Sequence, residues 1–441
     1  MGTTRPSKPR LLLFAFGDFA FNLYWQSIML FLLFYYTDAL ELRPGVAATI
    51  YMIGSVWDGI ANFVAGILVD RRQADLRYGL LLAAGGVPLG LSFVLAYLPP
   101  ALPGMLGVAV VMVGQLLFRT AYAATNVPYL AMSARVSPHA ADRAFVAGTR
   151  MLFGTAASVA VALCTIPVGR WLTGSTNAQA YFGAALLFAL IGAAILLLVG
   201  ATYRETIRIE RPPPASLTAA MLSLLHNRAF IALNAAMMLV IVGMTVLGKS
   251  VLYYFKYFLQ DPDAGQLALA WMGLVSGIAI PAWMVLERVI GLRALWLLAT
   301  GLGVVGLIYF AIAGIHTVAA MQLFLIGMQV MAVGIYFVFW AMLPNTIEYG
   351  ERETGLHVEG TVFGVAALLQ RISIGTATAI LGWSLASAGY VANVGQSEET
   401  LAAMRSTMAL VPLTFLGLSC VAMVLNPLGS AVRGKLAREP A

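Results

Sequence analysis

Residues 204–228 read RETIRIERPPPASLTAAMLSLLHNR, and the rest of the chain is parsed by this stretch. It is polar, with Pro212-Pro213-Pro214 near its middle, and it separates two sets of long apolar runs. Before it, the runs lie near 11–37, 46–69, 79–98, 104–130, 145–168 and 179–202. After it, they lie near 228–255, 266–286, 294–313, 318–343, 360–388 and 406–427. A helix needs roughly 20 apolar residues to cross hydrocarbon, and each run is about that long. None shows the alternation of a membrane barrel, so helices, which satisfy their own backbone N–H and C=O groups, are predicted for every span. The expected architecture is an all-α membrane protein of 12 transmembrane helices in two pseudo-symmetric halves. A six-helix bundle over 1–203 and another over 229–441 are joined by the linker 204–228, whose prolines favour an extended connector.

Composition supports this and removes other classes. The chain has 441 residues, 61% hydrophobic and 10% charged, whereas soluble domains carry roughly 25% charged residues. Mean hydropathy is +0.87. A soluble enzyme, a nucleic-acid binder and a disordered scaffold are all at odds with these values. The net charge of +7 does not come from basic runs. Of the 26 Lys and Arg, only Arg43, Arg170, Lys256 and Arg405 fall in predicted outer loops, and Arg119, Arg150, Lys249 and Arg371 fall within spans. The remainder lie in loops on the side of the termini, which predicts that both termini are cytoplasmic. The basic start runs straight into a full-length span with no small-residue cleavage site, so it reads as the first transmembrane helix and not a signal peptide. Cys164 and Cys420 lie far apart in apolar runs, and His139, His226, His316 and His357 have no metal-ligand spacing. With no nucleophile–base–orienter set and no GxxxxGKT, neither catalysis, nor ATP drive, nor a cofactor is expected.

Ionisable groups at membrane depth are costly and mark functional sites by default. Asp18 and Asn22 lie one turn apart in the first span, and Asp58 and Asn62 repeat that spacing in the second. Arg119, Tyr122 and Asn126 lie in the fourth span, Arg150 opens the fifth, and Gln370-Arg371 sits midway along the eleventh. For Asp58 two readings stand: a structural ion pair with Arg119 or Arg150, or an acid whose protonation changes as the protein works. Lys249, near the outer end of its span, either functions or snorkels to the interface. Aromatic residues crowd the same positions, among them Phe16, Phe21, Trp25, Tyr122, Tyr129 and Trp340. Such rings either pack and anchor the helices or stack on a sugar while amides and charges bind its hydroxyls.

Several stretches taken together resemble one family: Phe16–Trp25 (FGDFAFNLYW), Tyr35–Asp38 (YYTD), Trp57-Asp58 with Gly66 and Asp70-Arg71, and Tyr122–Tyr129 (YAATNVPY). Arg143 and Arg150 follow, then Tyr253–Tyr257 (YYFKY), Trp340–Leu343 (WAML), Glu348–Glu351 (EYGE) and Gly360. In order and spacing they are similar to the glycoside–pentoside–hexuronide:cation symporters of the major facilitator superfamily, across nearly the whole chain. The resemblance implies a secondary sugar carrier working by alternating access. It makes Asp58 the cation-site aspartate, Arg150 a sugar-binding arginine and Tyr122 a neighbour of both. Arg371 stands where the family has a lysine.

Three positions depart from the family pattern, which has acids where this chain has Asn22, Asn62 and Asn126. A hard cation prefers several charged or carbonyl oxygens, whereas a proton needs one carboxylate. Sodium coupling is therefore expected to be lost or weak, with H⁺ carried by Asp58 alongside Asn62. Solute binding is expected at Asp18, Asn22, Tyr122, Asn126, Arg150, Trp340, Gln370 and Arg371. Arg150 and Arg371 admit an anionic sugar unless Asp18 and Asp58 neutralise the arginines. Asp70, Arg71 and Arg77 in the loop after the second span, and Glu348, Glu351 and Arg352 after the tenth, are expected at a cytoplasmic gate or as solvated loop charges. The resulting expectation is a monomeric sugar or glycoside:cation symporter in the bacterial inner membrane, in contact with lipid and with no nucleic-acid partner. A carrier of amphipathic, lipid-like solutes and a non-transporting sugar sensor are the alternatives.

Overall fold

The computed structural model describes residues 6–71, 77–102, 104–133, 135–137, 139–203, 217–356 and 359–428. These residues form helices and no strands: α1 (Lys8–Phe34), α2 (Pro44–Arg71), α3 (Tyr78–Ala96), α4 (Gly104–Met132), α5 (Ala140–Thr173) and α6 (Ala178–Thr202). Then come α7 (Leu217–His226), α8 (Arg228–Tyr253), α9 (Pro262–Ile290), α10 (Leu292–Ala313), α11 (Val318–Thr354), α12 (Glu359–Ser387) and α13 (Glu398–Val424). Twelve of them are long and apolar enough to cross a membrane. The exception, α7, lies inside the stretch predicted to be an extended connector. Its ten residues give about 15 Å of helix, half a hydrocarbon thickness.

The chain divides into two compact units. The first holds Met1–Glu210 with Leu269–Leu274 and Val391–Val394, and the second holds Arg211–Ala268, Val275–Tyr390 and Gly395–Ala441. Inside the first, α1 packs on α5 and α6, and α3 packs on α4 and α6. Inside the second, α8 packs on α12 and α13, and α10 packs on α11 and α13. The pairing pattern is therefore repeated, as expected of two structural repeats.

The repeat extends to how each first helix ends. α1 and α8 both widen into a π turn, Tyr35–Ala39 and Tyr254–Phe258. Leu40 N–H donates to the Tyr35 carbonyl at 2.9 Å, and Leu259 N–H to that of Tyr254 at 3.1 Å. A second bond follows in each, Leu42 to Tyr36 at 3.0 Å and Asp261 to Phe255 at 2.9 Å. Between those donors sits a residue of positive φ, Glu41 at 53° and Gln260 at 56°, which turns the chain out of the helix. Pro44 and Pro262 then open α2 and α9, where a missing N–H costs nothing.

Both cores bury large apolar side chains. In the second unit Trp283, Trp296, Phe230, Phe339, Leu233 and Met342 belong to one apolar cluster. In the first, buried tyrosines carry much of the packing. The Tyr24 hydroxyl donates to the Ala189 carbonyl at 3.2 Å, Tyr35 to that of Tyr97 at 2.8 Å and Tyr97 to that of Ser27 at 2.8 Å. A phenol whose O–H is satisfied can be buried at little cost. α3 and α6 approach closely through small residues: a Cβ on Gly79 would lie 2.7 Å from the Gly200 carbonyl oxygen. Helices in lipid associate by such contacts, because apolar burial gains little there. Leu91, Met105, Trp171, Val289 and Ile312 are among the large side chains that point outward, as a surface solvated by acyl chains requires.

Candidate functional site

The polar residues of the first unit assemble into two acid–arginine pairs. On α1, Asp18 takes two hydrogen bonds on one carboxylate oxygen from Arg150 of α5, at 3.1 Å from Nε and 2.9 Å from Nη2. The Nη1 atom of Arg150 donates to Ser133 Oγ at 2.8 Å. This pair keeps some access, at 18% exposure for the arginine side chain and 16% for the acid. On α2, Asp58 pairs with Arg119 of α4, Oδ2 to Nη1 at 3.5 Å, and both side chains are 0% exposed. Of the two partners left open for Asp58 in the sequence, the fold selects Arg119, and Arg150 goes to Asp18.

Each acid carries an asparagine one turn further along its helix, as the i, i+4 geometry dictates. Asn22 Nδ2 donates to the Asp18 carbonyl at 2.9 Å and to its carboxylate at 3.4 Å. Asn62 Nδ2 donates to the Asp58 carbonyl at 2.7 Å and to its carboxylate at 3.2 Å. In both places a neutral amide donor serves the acid.

A line of aromatic rings connects the two pairs. The Arg150 guanidinium lies 5.1 Å from the Tyr129 ring centre. Tyr129 meets Phe21 at 5.0 Å, Phe21 meets Tyr122 at 5.8 Å, and Tyr122 meets Trp25 at 5.7 Å. Trp25 in turn lies 5.3 Å from the Arg119 guanidinium, with Tyr51 on that group at 5.6 Å. The Tyr129 hydroxyl is fixed by the Phe14 carbonyl at 2.9 Å. Asn126, half-buried, sits one turn past Tyr122 on α4.

Gln115 and Ser55 were not singled out from the sequence. Each lies on the face of an expected residue, Gln115 one turn before Arg119 and Ser55 one turn before Asp58, so the i, i+3/i+4 rule was the available signal. Both are buried, at 0% and 1%. The Gln115 amide, the Ser55 hydroxyl, the Tyr36 hydroxyl and all three Arg119 guanidinium nitrogens make no hydrogen bond. A further cluster joins Arg143 to Ser137 and Asp142, which the sequence did not point to, at the start of α5. Ser137 Oγ donates to Asp142 Oδ2 at 2.7 Å, and Arg143 Nη1 donates to the Ser137 carbonyl at 3.0 Å.

In the second unit, Trp340 on α11 is 46% exposed. It stacks on Phe363 with ring centres 6.3 Å apart and planes 10° apart. Gln370 and Arg371 are half-buried on α12, and Gln370 Nε2 is buried without a hydrogen-bond partner. Lys249 is 6% exposed. Of the expected gate residues, Arg77 is the exposed N-cap of α3. Glu348, Glu351 and Arg352 lie not in a loop but on the last turns of α11, all exposed. The helix outruns the apolar run because its polar end has left the hydrocarbon, and Gly355, at φ 69°, caps it through Glu351. The side chains of Asp70 and Arg71 lie outside the described residues, as do Arg204–Ser216. Among the described residues no group of three or more His, Cys, Asp or Glu could hold a metal ion.

The chain is 25% identical to a putative glycoside/cation symporter, YagG, of Escherichia coli, over 90% of this chain and 87% of the relative. It is 23% identical to an isoprimeverose transporter of Lactiplantibacillus pentosus over 93% and 87%, and 26% identical to a glucuronide carrier protein homologue of Escherichia coli over 94% and 91%. Among solved structures it superposes on a bacterial homologue of the human lysosomal transporter Spinster with TM-score 0.71 at 13% identity, covering 99% of this chain and 100% of that one. The nucleoside transporter NupG gives 0.67 at 15%, covering 96% and 100%. The likeness to these two structures establishes the major facilitator fold. Residues 13–430 match the profile of the MFS/sugar transport proteins, and the chain belongs to that family of membrane transporters.

Proposed function

We propose that this chain carries a sugar or glycoside across the bacterial inner membrane by alternating access, as a monomer with cytoplasmic termini, driven by protons taken up at Asp58. The observation that carries this is the pair of acid–arginine contacts with their asparagines, joined by the aromatic line from Tyr129 to Trp25. Asp18, Asn22, Tyr122, Asn126 and Arg150 form the solute-binding set of the first half, and Trp340, Gln370 and Arg371 that of the second. Arg77, Glu348, Glu351 and Arg352, with Asp70 and Arg71, serve the cytoplasmic gate. The transporters named for glycosides and isoprimeverose among the relatives support the solute class.

Pairing also bears on the kind of sugar. Asp18 neutralises Arg150 at 2.9 Å, and Asp58 neutralises Arg119. The charges of these two pairs are thus matched to each other, which supports a neutral glycoside over a hexuronide. Hydroxyls of such a solute would compete with Ser133 and Asn22 for the exposed edges of Arg150 and Asp18, while the rings take its C–H faces.

A thermal-shift panel on detergent-purified protein tests this, with neutral glycosides, pentoses, hexuronides and lysolipids each at acidic and neutral pH. A binder at 100 times its Kd stabilises by about 2.7 kcal/mol, and a neutral glycoside is expected to do so. A lysolipid hit with silent sugars refutes the sugar assignment. Binding of a sugar with no flux into proteoliposomes makes the protein a sensor.

A further inference from the structure

The Asp58–Arg119 pair has a consequence for which cation can serve this protein. Arg119 is among the largest fully buried side chains, and a guanidinium does not lose its proton in proteins. It brings a permanent positive charge to within 3.5 Å of the carboxylate. The rest of its surroundings offers rings and no hydrogen-bond acceptor within reach. Its three nitrogens make no hydrogen bond, although buried guanidinium groups ordinarily use their donor fork on carboxylates or carbonyls. Two aromatic faces, Trp25 and Tyr51, hold it instead.

The helix turns that flank the pair carry further oxygens, from Ser55 and Asn62 on α2 and Gln115 on α4. Gln115 Oε1 and Ser55 Oγ are buried with no hydrogen-bond partner. Gln115 lies directly against α2, since a Cβ on Gly54 would come within 2.7 Å of its side chain. Asn62 spends its Nδ2 on Asp58, which leaves its own carbonyl oxygen as an acceptor. One carboxylate, an amide carbonyl on each of two helices and a hydroxyl are the ligand types a hard monovalent cation takes. Arg119 brings its charge to the carboxylate of that set, Nη1 lying 3.5 Å from Asp58 Oδ2.

We infer that Arg119 is a tethered cation that occupies the place of a metal ion at Asp58, so that the native protein excludes Na⁺ and Li⁺ from this carboxylate. At about 4 Å and an effective dielectric constant near 20, a second unit charge beside Arg119 loses roughly a thousandfold in affinity. Removing the guanidinium uncovers the site. Arg119 is thereby a specificity-determining residue for the coupling ion. The inference rests on the reading of Asp58 as the coupling acid, but ion binding is measured with no solute present. A mistaken sugar assignment leaves the result untouched.

The test is a thermal-shift titration of purified protein with NaCl or LiCl against choline chloride at constant ionic strength. The set is the native chain, Arg119→Ala, Arg119→Gln and Arg119→Ala combined with Asp58→Asn. The native chain is expected to show no response beyond that to choline. Arg119→Ala is expected to be less stable in choline and to recover in Na⁺ or Li⁺, with affinity at least a hundredfold above the native chain, and the double variant to lose the response. Where Arg119→Ala does not fold, Arg119→Gln, which keeps the volume and adds a carbonyl oxygen, is expected to show the same gain. A Na⁺ or Li⁺ response in the native chain beyond that to choline overturns the inference. So does a folded Arg119 variant that binds neither ion.

Discussion

The two halves end their first helices in the same way and use their interiors differently. Both α1 and α8 finish in a π turn closed by the same two hydrogen bonds and a residue of positive φ. Both contain an asparagine that donates to the carbonyl four residues back, Asn22 to Asp18 on α1 and Asn234 to Phe230 on α8. Only on α1 does that position carry a carboxylate. Around Asn234 lie Phe230, Leu233 and Met237 of the apolar cluster, whereas Asn22 serves an acid paired to Arg150. The repeated frame is the fold. The departures from repetition, concentrated in Asp18, Asp58, Arg119 and Arg150, are where the chemistry of transport is assigned.

The sharpest way to break this contrast is to strip one charge from the fully buried pair. Arg119→Leu leaves Asp58 uncompensated, and about 3–5 kcal/mol of stability is expected to go, as is usual for a buried pair missing one partner. Adding Asp58→Asn to Arg119→Leu is expected to return most of it, and a double-mutant cycle read by thermal unfolding gives the coupling. Next comes the accessible pair. Arg150→Ala costs less stability, about 1–3 kcal/mol, but is expected to lower uptake at least tenfold, as measured in proteoliposomes.

Asparagines of the two halves allow a direct comparison. Asn62→Ala and Asn234→Ala each remove a bond to a helix carbonyl and are each expected to cost about 1 kcal/mol. Only Asn62→Ala is expected to change the pH dependence of uptake, because only Asn62 also touches a carboxylate. An equal change from Asn234→Ala would remove the functional distinction between the halves. The smallest effect concerns what they share. Glu41→Gly and Gln260→Gly relieve the same positive-φ strain, worth roughly 1 kcal/mol, and are expected to shift unfolding in the same direction by similar amounts.

Much of the fold was legible in the sequence because hydrocarbon imposes a length and a polarity on every span. The run near 294–313 became Leu292–Ala313 and that near 360–388 became Glu359–Ser387. Legibility failed where the solvent changes. α11 continues to Thr354 because nothing in an aqueous environment stops a helix at Leu343, and its acidic end looked like a loop. α7 was hidden by the prolines that precede it and by its shortness. Within the candidate site, the i, i+4 couples Asp18–Asn22 and Asp58–Asn62 could be read from spacing alone. The pairing of acids with arginines could not, because it depends on which helices pack: α1 on α5 and α2 on α4. Gln115 and Ser55 were silent in the sequence since an uncharged polar residue in a span is common, and only burial without a partner makes it informative.

Proton movement on addition of solute reports directly on Asp58 as the coupling acid. Proteoliposomes loaded with a pH indicator, in sodium-free choline buffer, receive a neutral glycoside that stabilised the protein in the binding panel. The expected result is uptake of protons together with the glycoside, absent in Asp58→Asn and unchanged when choline is replaced by Na⁺. Glycoside accumulation driven by a Na⁺ gradient at fixed pH and membrane potential, with no proton movement, would contradict the account.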